Sequence, residues 1–252
     1  MSLRTVDSAP PSLLTEEELR GRFREMGEQR YHHRHPFHLL MHEGRLTRGQ
    51  LQAWALNRYY YQSRIPIKDA IILSRSDDPK FRRAWRKRVL DHDGDNSPEG
   101  GIERWLRLAE AAGVERERVI ACKEILPGVR YAVNAYLDLV KNRSLLEAVA
   151  SSLTELFSRD LIVLRMGAMR QHYPWLSGGL DYFEARLDQA PDDARFAFQF
   201  VVDHANTRAE QELALNALRE KCDILWAQLD AIYYSYVQPA LVPPGAFRPE
   251  EK

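Results

Sequence analysis

At points along this 252-residue chain a hydroxyl residue stands three places ahead of a Glu or Gln, just before an apolar stripe, as in Thr15 with Glu18, Thr47 with Gln50 and Ser144 with Glu147. Each pair is a capping box, in which the two side chains satisfy amides that a helix start leaves without partners. The stripes that follow recur at helical spacing: Leu19, Phe23 and Met26, then Leu51, Trp54, Tyr61 and Ile65. Asp78-Pro79 reads as a cap and a first-turn proline ahead of Phe81, Trp85 and Val89,. The "DGDNSPEGG" stretch from Asp93 to Gly101 ends that helix and leads into Ile102 to Ala112. Further helices are expected from Pro127 to about Lys141, from Ser144 to about Ser158, and over 160–170, 179–189, 192–204 and 207–238,. Pro66 is expected to kink or end its helix locally. No segment alternates apolar and polar residues between turn signals, as a half-buried strand would. The expected fold class is all-α, one compact bundle of about seven to nine helices over residues 13–238. Residues 1–12 read as a flexible N-terminus, and 239–252 as a Pro-rich tail or linker,.

Composition narrows function by exclusion. Lys+Arg and Asp+Glu both number 36, so no basic excess marks a nucleic-acid partner,. Two cysteines, Cys122 and Cys222, make no disulfide framework and no CxxC pair,. No apolar run approaches the roughly 18 residues of a membrane span, and the N-terminus lacks the apolar region of a secretory signal. A cytoplasmic location without membrane or nucleic-acid partners is the expectation.

Polar residues standing on stripes that otherwise face a core carry more information. Arg58 lies one turn from Trp54, and Gln62 and Lys68 continue that side. Arg88 and His92 are i, i+4 neighbours on the face of Phe81 and Trp85, and so are Tyr182 and Arg186 on a later helix,. Ala148, Ser151 and Ser152 form a face of small residues that ends in Glu155, and Lys221 falls in line with Ala214, Leu218 and Leu225. Any one of these has a structural explanation as an ion pair or a snorkelling side chain. Together they place cations on the inward faces of several helices, which suits a polyanionic small molecule, because guanidinium forks bind carboxylates at both oxygens.

The stretch "YHHRHPFHLLMH" (Tyr31 to His42) holds five of the chain's eight histidines. Pro36 is expected to keep these rings off one shared face, although His38 and His42 are i, i+4 and could bind a metal or stack. A metal site in a helical bundle usually recruits Glu-x-x-His from facing helices, a motif this chain lacks,. No metal is expected.

The segments "YHHRHPFH", "WALNRYYYQSRIPIKDA", "RVLDHDGD", "GGIERWLRLAE", "LPGVRYAVNAY", "SSLTELF", "HYPW" and "KCDILWAQLDA" closely resemble the pyrroloquinoline-quinone synthase family, within the haem-oxygenase-like, TenA-like superfamily. The resemblance runs from about Tyr31 to Tyr236. It implies a haem-oxygenase-like bundle acting as a homodimer. It also implies a reaction: ring closure and eight-electron oxidation of 3a-(2-amino-2-carboxyethyl)-4,5-dioxo-hexahydroquinoline-7,9-dicarboxylate to pyrroloquinoline quinone. Dioxygen is then the acceptor, hydrogen peroxide a product, and no metal or organic cofactor takes part. By the same resemblance Arg58, Lys68, Arg88, Arg165 and Lys221 are carboxylate clamps, and Tyr31, His32 and Gln62 line the substrate site. Tyr136, Thr154 and Glu155 contact the quinone or its amine, while His92, Tyr182 and Arg186 surround dioxygen, His92 and Tyr182 as proton donors. His92 is expected to titrate near working pH. The family often has a histidine where this chain has Ile162, which removes one acid–base group, and another where it has Arg34. Two alternatives remain: a non-catalytic quinone carrier, and a di-iron oxidase of the same fold, whose ligand places are taken here by Tyr182, Arg186 and Gln189. Haem is disfavoured by the Arg/Lys lining. "SGG" at Ser177 to Gly179 reads as a hinge in a stretch, Arg159 to Leu187, that closes on ligand,.

Overall fold

The computed structural model describes residues 12–95 and 99–250. The N-terminus expected to be flexible, apart from Ser12, and residues 96–98 of the "DGDNSPEGG" stretch lie outside the described residues. The helices run α1 Glu16–Arg30, α2 Pro36–His42, α3 Arg48–Ser74, α4 Pro79–Asp93, α5 Gly101–Ala112, α6 Arg116–Ala121, α7 Pro127–Asn142, α8 Leu145–Ala150, α9 Ser158–His172, α10 Asp181–His204 and α11 Arg208–Tyr236. Short 3₁₀ turns occupy His32–Arg34, Ser151–Phe157 and Pro174–Gly179. Among the described residues the one sheet-like pairing is an isolated bridge between Gly94 and Glu99.

All three capping boxes form, and a fourth joins Thr207 to Glu210 at the head of α11. Helix α3 continues through Pro66 and does not end there, and α10 runs through Pro191, where two separate helices were expected. An interior proline costs a helix about 3 kcal/mol. Both helices are packed along their length, α3 against α4, α5 and α7, and α10 against α8, α9 and the Ser151–Phe157 turn. Tertiary burial outweighs the local cost. The helix expected from Ser144 to Ser158 instead tightens to 3₁₀ after Ala150, and α2 and α6 were not anticipated.

The core is one continuous cluster from Leu19 to Phe247. Buried polar contacts fix its registers. Trp105 Nε1 donates to the Ala55 carbonyl at 2.9 Å, tying α5 to α3. Asn57 Oδ1 accepts from the Leu126 amide at 2.8 Å and so sets where α7 begins. Ahead of α1, Leu14 is held to α11 through both ends of the Gln211 amide, at 2.8 and 2.9 Å. The described part of the tail after α11, through residue 250, is anchored to the body at Phe247. Phe247 is buried, its amide donates to the Glu124 carbonyl at 2.9 Å, and its carbonyl accepts from Tyr236 Oη at 2.7 Å.

Gly179 reads differently in three dimensions from the hinge its sequence suggested. A Cβ there would stand 2.5 Å from Leu108 Cα and 3.1 Å from the Arg107 carbonyl, so glycine is required by the approach of the Pro174–Gly179 turn to α5. Gly179→Ala should therefore destabilise by about 1–3 kcal/mol through overpacking against backbone. Gly21→Ala, on exposed α1 with nothing within 4 Å of the added methyl, should stabilise by about 0.5–1 kcal/mol,. Thermal or denaturant unfolding of the two variants beside the parent checks both signs.

Candidate active site

The helices enclose a cavity with about 820 Å³ of empty space, its mouth included. Helix α3 contributes Arg58, Tyr61, Gln62 and Lys68 along one inward stripe; α4 adds His92, α5 Trp105 and α7 Tyr136. The Ser151–Phe157 turn brings Ser152, Thr154 and Glu155, α9 brings Ile162 and Arg165, and α10 brings Tyr182, Phe183 and Arg186. Tyr31 and His32 close the side next to α2.

Twelve of the fourteen sequence-derived site residues thus face one cavity. Arg88 and Lys221 do not. Arg88 is 2.8 Å from Glu155 Oε2 and donates to the Asp193 carbonyl at 2.6 Å, one layer behind Glu155. Lys221 is buried behind the wall formed by Tyr61 and Tyr136. Its Nζ lies 2.8 Å from Tyr61 Oη and 3.2 Å from the Tyr136 ring centroid. Burial, reinforced by Arg58 and Lys68, pushes this ammonium well below its usual range,. Neither residue lines the cavity; each contacts a side chain that does.

Glu155 is the hub of a buried quartet. Its Oε1 takes Arg186 at 3.1 Å, while Asp193 lies 3.5 Å from Arg186 and 3.7 Å from Arg88. Asp193 was not among the expected site residues, because its partner Arg88 lies 105 residues away in the chain. Burial above all, with repulsion from Asp193, pushes the Glu155 carboxyl up against the pull of Arg88 and Arg186. Lys68 is likewise paired, 2.5 Å from Asp69.

Two cations differ. Among the described residues no carboxylate lies within salt-bridge distance of Arg58 or Arg165. Arg58 stacks over the Tyr61 ring at 4.0 Å and reaches Gln228 Oε1 at 3.5 Å. Arg165 meets the ring of His38 at 3.1 Å, and its Nε is buried without a hydrogen bond. Burial, reinforced by Arg58, pushes the Arg165 guanidinium down to about 10, which leaves it charged at neutral pH.

The group expected around dioxygen does share one wall. A Cβ on Gly101 would come within 3.4 Å of the Tyr182 ring and 3.6 Å of the His92 ring, so the first turn of α5 sits against both. Tyr182 Oη lies 3.0 Å from Gln62 Oε1 and donates to it. His92 corrects the reading of it as a proton donor titrating near neutrality. Its Nδ1 faces the Arg88 carbonyl at 3.0 Å, an acceptor, so Nδ1 carries the proton and Nε2 keeps a free lone pair,. Burial, reinforced by Arg186, pushes the ring down to about 4. At neutral pH it is an uncharged acceptor.

The rings of the histidine stretch do not all share one face, as expected. Pro36 opens α2 at its first position, and His38 lies against His32, with ring centroids 4.8 Å apart. His42 stacks on His38 at 6.0 Å. His35 faces elsewhere, capping α2 through the Phe37 amide and meeting Asp230 at 3.1 Å. Among the described residues no three His, Cys, Asp or Glu side chains are grouped to hold a metal.

Residues 21–231 match the model of the TENA/THI-4/PQQC family. The chain belongs to that family. It is 55% identical over 236 residues to the pyrroloquinoline-quinone synthase of Acidiphilium cryptum, covering 93% of this chain and 96% of that protein. It is 50% identical over 248 residues to the synthase of Granulibacter bethesdensis, covering 98% and 97%. The bifunctional coenzyme PQQ synthesis protein C/D of Methylorubrum extorquens is 52% identical over 240 residues, which are 95% of this chain and 64% of that protein. A Shewanella denitrificans domain of unknown function with a haem-oxygenase-like fold superposes with a TM-score of 0.76 at 13% identity, covering 94% of this chain and all of that one. A TenA homologue of Pseudomonas syringae gives 0.68 at 11%, covering 90% and 98%. The bundle is therefore haem-oxygenase-like, and the chain is an enzyme of this family. No helix among the described residues is long and apolar enough to cross a membrane.

His92 couples the site to acid stability. A ring at about 4 when folded and 6.5 when unfolded binds fewer protons in the native state between those values. Its contribution is complete above pH 6.5, worth about 3 kcal/mol, and is lost as pH falls toward 4,. The buried rings of His32 and His38 and the half-buried ring of His42 are shifted the same way by burial and by Arg58 or Arg165. Unfolding free energy should drop from pH 7 to pH 4, and His92→Asn should flatten that drop without removing it. Denaturant unfolding across the range measures it.

Proposed function

We propose that this enzyme is a pyrroloquinoline-quinone synthase that needs neither metal nor organic cofactor. It closes the ring of 3a-(2-amino-2-carboxyethyl)-4,5-dioxo-hexahydroquinoline-7,9-dicarboxylate and oxidises it by eight electrons to pyrroloquinoline quinone, with dioxygen reduced to hydrogen peroxide. The observation that carries the reading is the pair Arg58 and Arg165, charged and without carboxylate partners on a cavity whose other cations are paired. A carboxylated planar ligand supplies what that cavity lacks, and relatives at 50–55% identity bear the synthase name.

In this reading Arg58 and Arg165 hold carboxylates, and Lys68 adds a third contact beside Asp69. The Nε2 lone pair of His92 removes C–H protons from the bound precursor, turning it into an electron-rich enolate or quinol that reduces dioxygen itself. Tyr182, on the same wall, turns its hydroxyl from Gln62 to the developing charge, and Arg186 supplies a fixed positive field behind it,. Ile162 stands on the cavity where an imidazole would supply another acid–base group, so His92 carries more of the proton traffic. The reading takes the active form as a homodimer, for which exposed Val163 and Leu164 on α9 offer apolar surface.

The test is anaerobic mixing with the precursor, followed by admission of air while absorbance and peroxide are recorded. Product and peroxide should appear without added cofactor, and metal analysis should find no stoichiometric metal. Binding without oxygen consumption would replace the enzyme by a carrier, and activity lost on chelation would replace the cofactorless mechanism. Arg165→Ala should weaken binding of pyrroloquinoline quinone by about 2–4 kcal/mol. Tyr182→Phe and His92→Asn should bind precursor nearly normally yet oxidise it about a hundred- to a thousandfold more slowly. Titration and single-turnover traces separate the two effects.

A further inference from the structure

His38 lies outside the cavity lining, and the mechanism above does not use it. It is nonetheless buried and in hydrogen-bond contact with a residue that lines the cavity. Its Nδ1 faces the His32 carbonyl at 3.0 Å. A carbonyl accepts and cannot donate, so His38 Nδ1 carries a proton. The same Nδ1 lies 3.1 Å from Nδ1 of His32. Two protonated nitrogens cannot face one another at that distance, so His32 Nδ1 is the acceptor. One Arg165 guanidinium nitrogen lies 3.1 Å from His38 Nε2 and 3.4 Å from His38 Nδ1, nearer the nitrogen that the His32 carbonyl leaves bare, so the tautomer is set by the contacts to His32. His32 is then left with its proton on Nε2, the edge turned away from His38.

We propose that His38 is a positioning residue that fixes His32 as its Nε2–H tautomer, so that His32 presents a hydrogen-bond donor to an oxygen of the bound ligand. The identity of that oxygen as a carboxylate or quinone carbonyl rests on the function proposed above; the tautomer does not. Groups around the pair favour neutral rings: Arg165 and Arg58 repel a proton from both, His42 stacks on His38, and both rings are buried. His32 and His92 thereby hold opposite tautomers on one cavity, the first a donor and the second an acceptor.

The test begins with the ligand-free parent labelled with ¹⁵N-histidine at pH 7, where protonated and bare ring nitrogens are resolved by shift and His32 is assigned by its loss in His32→Gln. The expected pattern for His32 is a bare Nδ1 and a protonated Nε2. A protonated Nδ1, or an imidazolium, overturns the proposal. His38→Leu, confirmed as folded by circular dichroism, should lose this pattern and bind pyrroloquinoline quinone about tenfold more weakly, the order of one hydrogen bond. His38→Asn, whose amide N–H takes the place of Nδ1–H, should restore both. His32→Gln, which keeps a donor at the Nε2 position, should bind better than His32→Asn. An unchanged tautomer and affinity in His38→Leu would assign the ring to packing and overturn the idea; if His38→Leu does not fold, the parent spectrum and His38→Asn still decide. Failure of the quinone to bind even the parent would instead remove the functional reading, while the spectrum still judges His38.

Discussion

The interior of this bundle depends on the pairing of Arg88 and Arg186 with Glu155 and Asp193. Each of these charges is buried or nearly so, and an unpaired ion in that position would cost several kcal/mol,. The quartet joins α4, α10 and the Ser151–Phe157 turn at one point, so three elements with no sequence proximity are held in register by charge. The turn is where α8 tightens to 3₁₀, and that change of pitch carries Thr154 and Glu155 to the cavity. A replacement of Asp193 would unbalance both arginines at once, although Asp193 touches no cavity space itself. Glu155 can face a ligand because its charge is already matched from behind.

With the net charge of the quartet cancelled, the chemistry of the cavity rests on how protons are placed. Both histidines on its surface are held neutral by burial, and each ring nitrogen that faces protein meets a fixed partner: the Arg88 carbonyl for His92, His38 for His32. The backbone and a second imidazole thereby decide which cavity edge donates and which accepts. That arrangement does not change between pH 6.5 and 8, since no ring titrates there. It gives a ligand with both acidic C–H bonds and acceptor oxygens a matching surface.

Much of this was legible in the sequence, and what was not has physical causes. Caps and apolar stripes report local free energy, so α1, α3, α4 and α11 were placed to within a residue or two at most of their ends. Continuation through Pro66 and Pro191 was not legible, because it depends on packing between distant segments. Arg58, Gln62, His92, Tyr182 and Arg186 stood out as polar residues on apolar stripes, and the cavity gathers all five. Tyr31, Tyr136 and Arg165 came from the family resemblance, since an aromatic on a helix stripe gives no sign of whether it faces core or cavity. Lys221 had the same signal as Arg58 and a different place, one layer back. Sequence periodicity gives the face of a helix but not how deep that face lies. Asp193 and His38 were missed because their partners, Arg88 and His32, are far apart in the chain or brought near by a proline turn.

The choice of cation at each position follows from solvation. The two buried lysines both have local partners, Lys68 with Asp69 and Lys221 with Tyr61 and the Tyr136 ring. An ammonium is compact and strongly hydrated, so leaving it dry and unmatched is expensive. Among the Arg and Lys side chains that line the cavity, the two without carboxylate partners are both arginines, whose charge is spread over a plane that loses less hydration and can rest on a ring,. Arg58 rests on Tyr61 at 4.0 Å, and Arg165 lies beside His38, with Phe183 5.6 Å from its guanidinium carbon. Aromatic faces hold these guanidiniums, and the Arg165 Nε–H is left without a protein partner. The groups that a polycarboxylate would engage are therefore the ones that the free protein can keep charged at least cost.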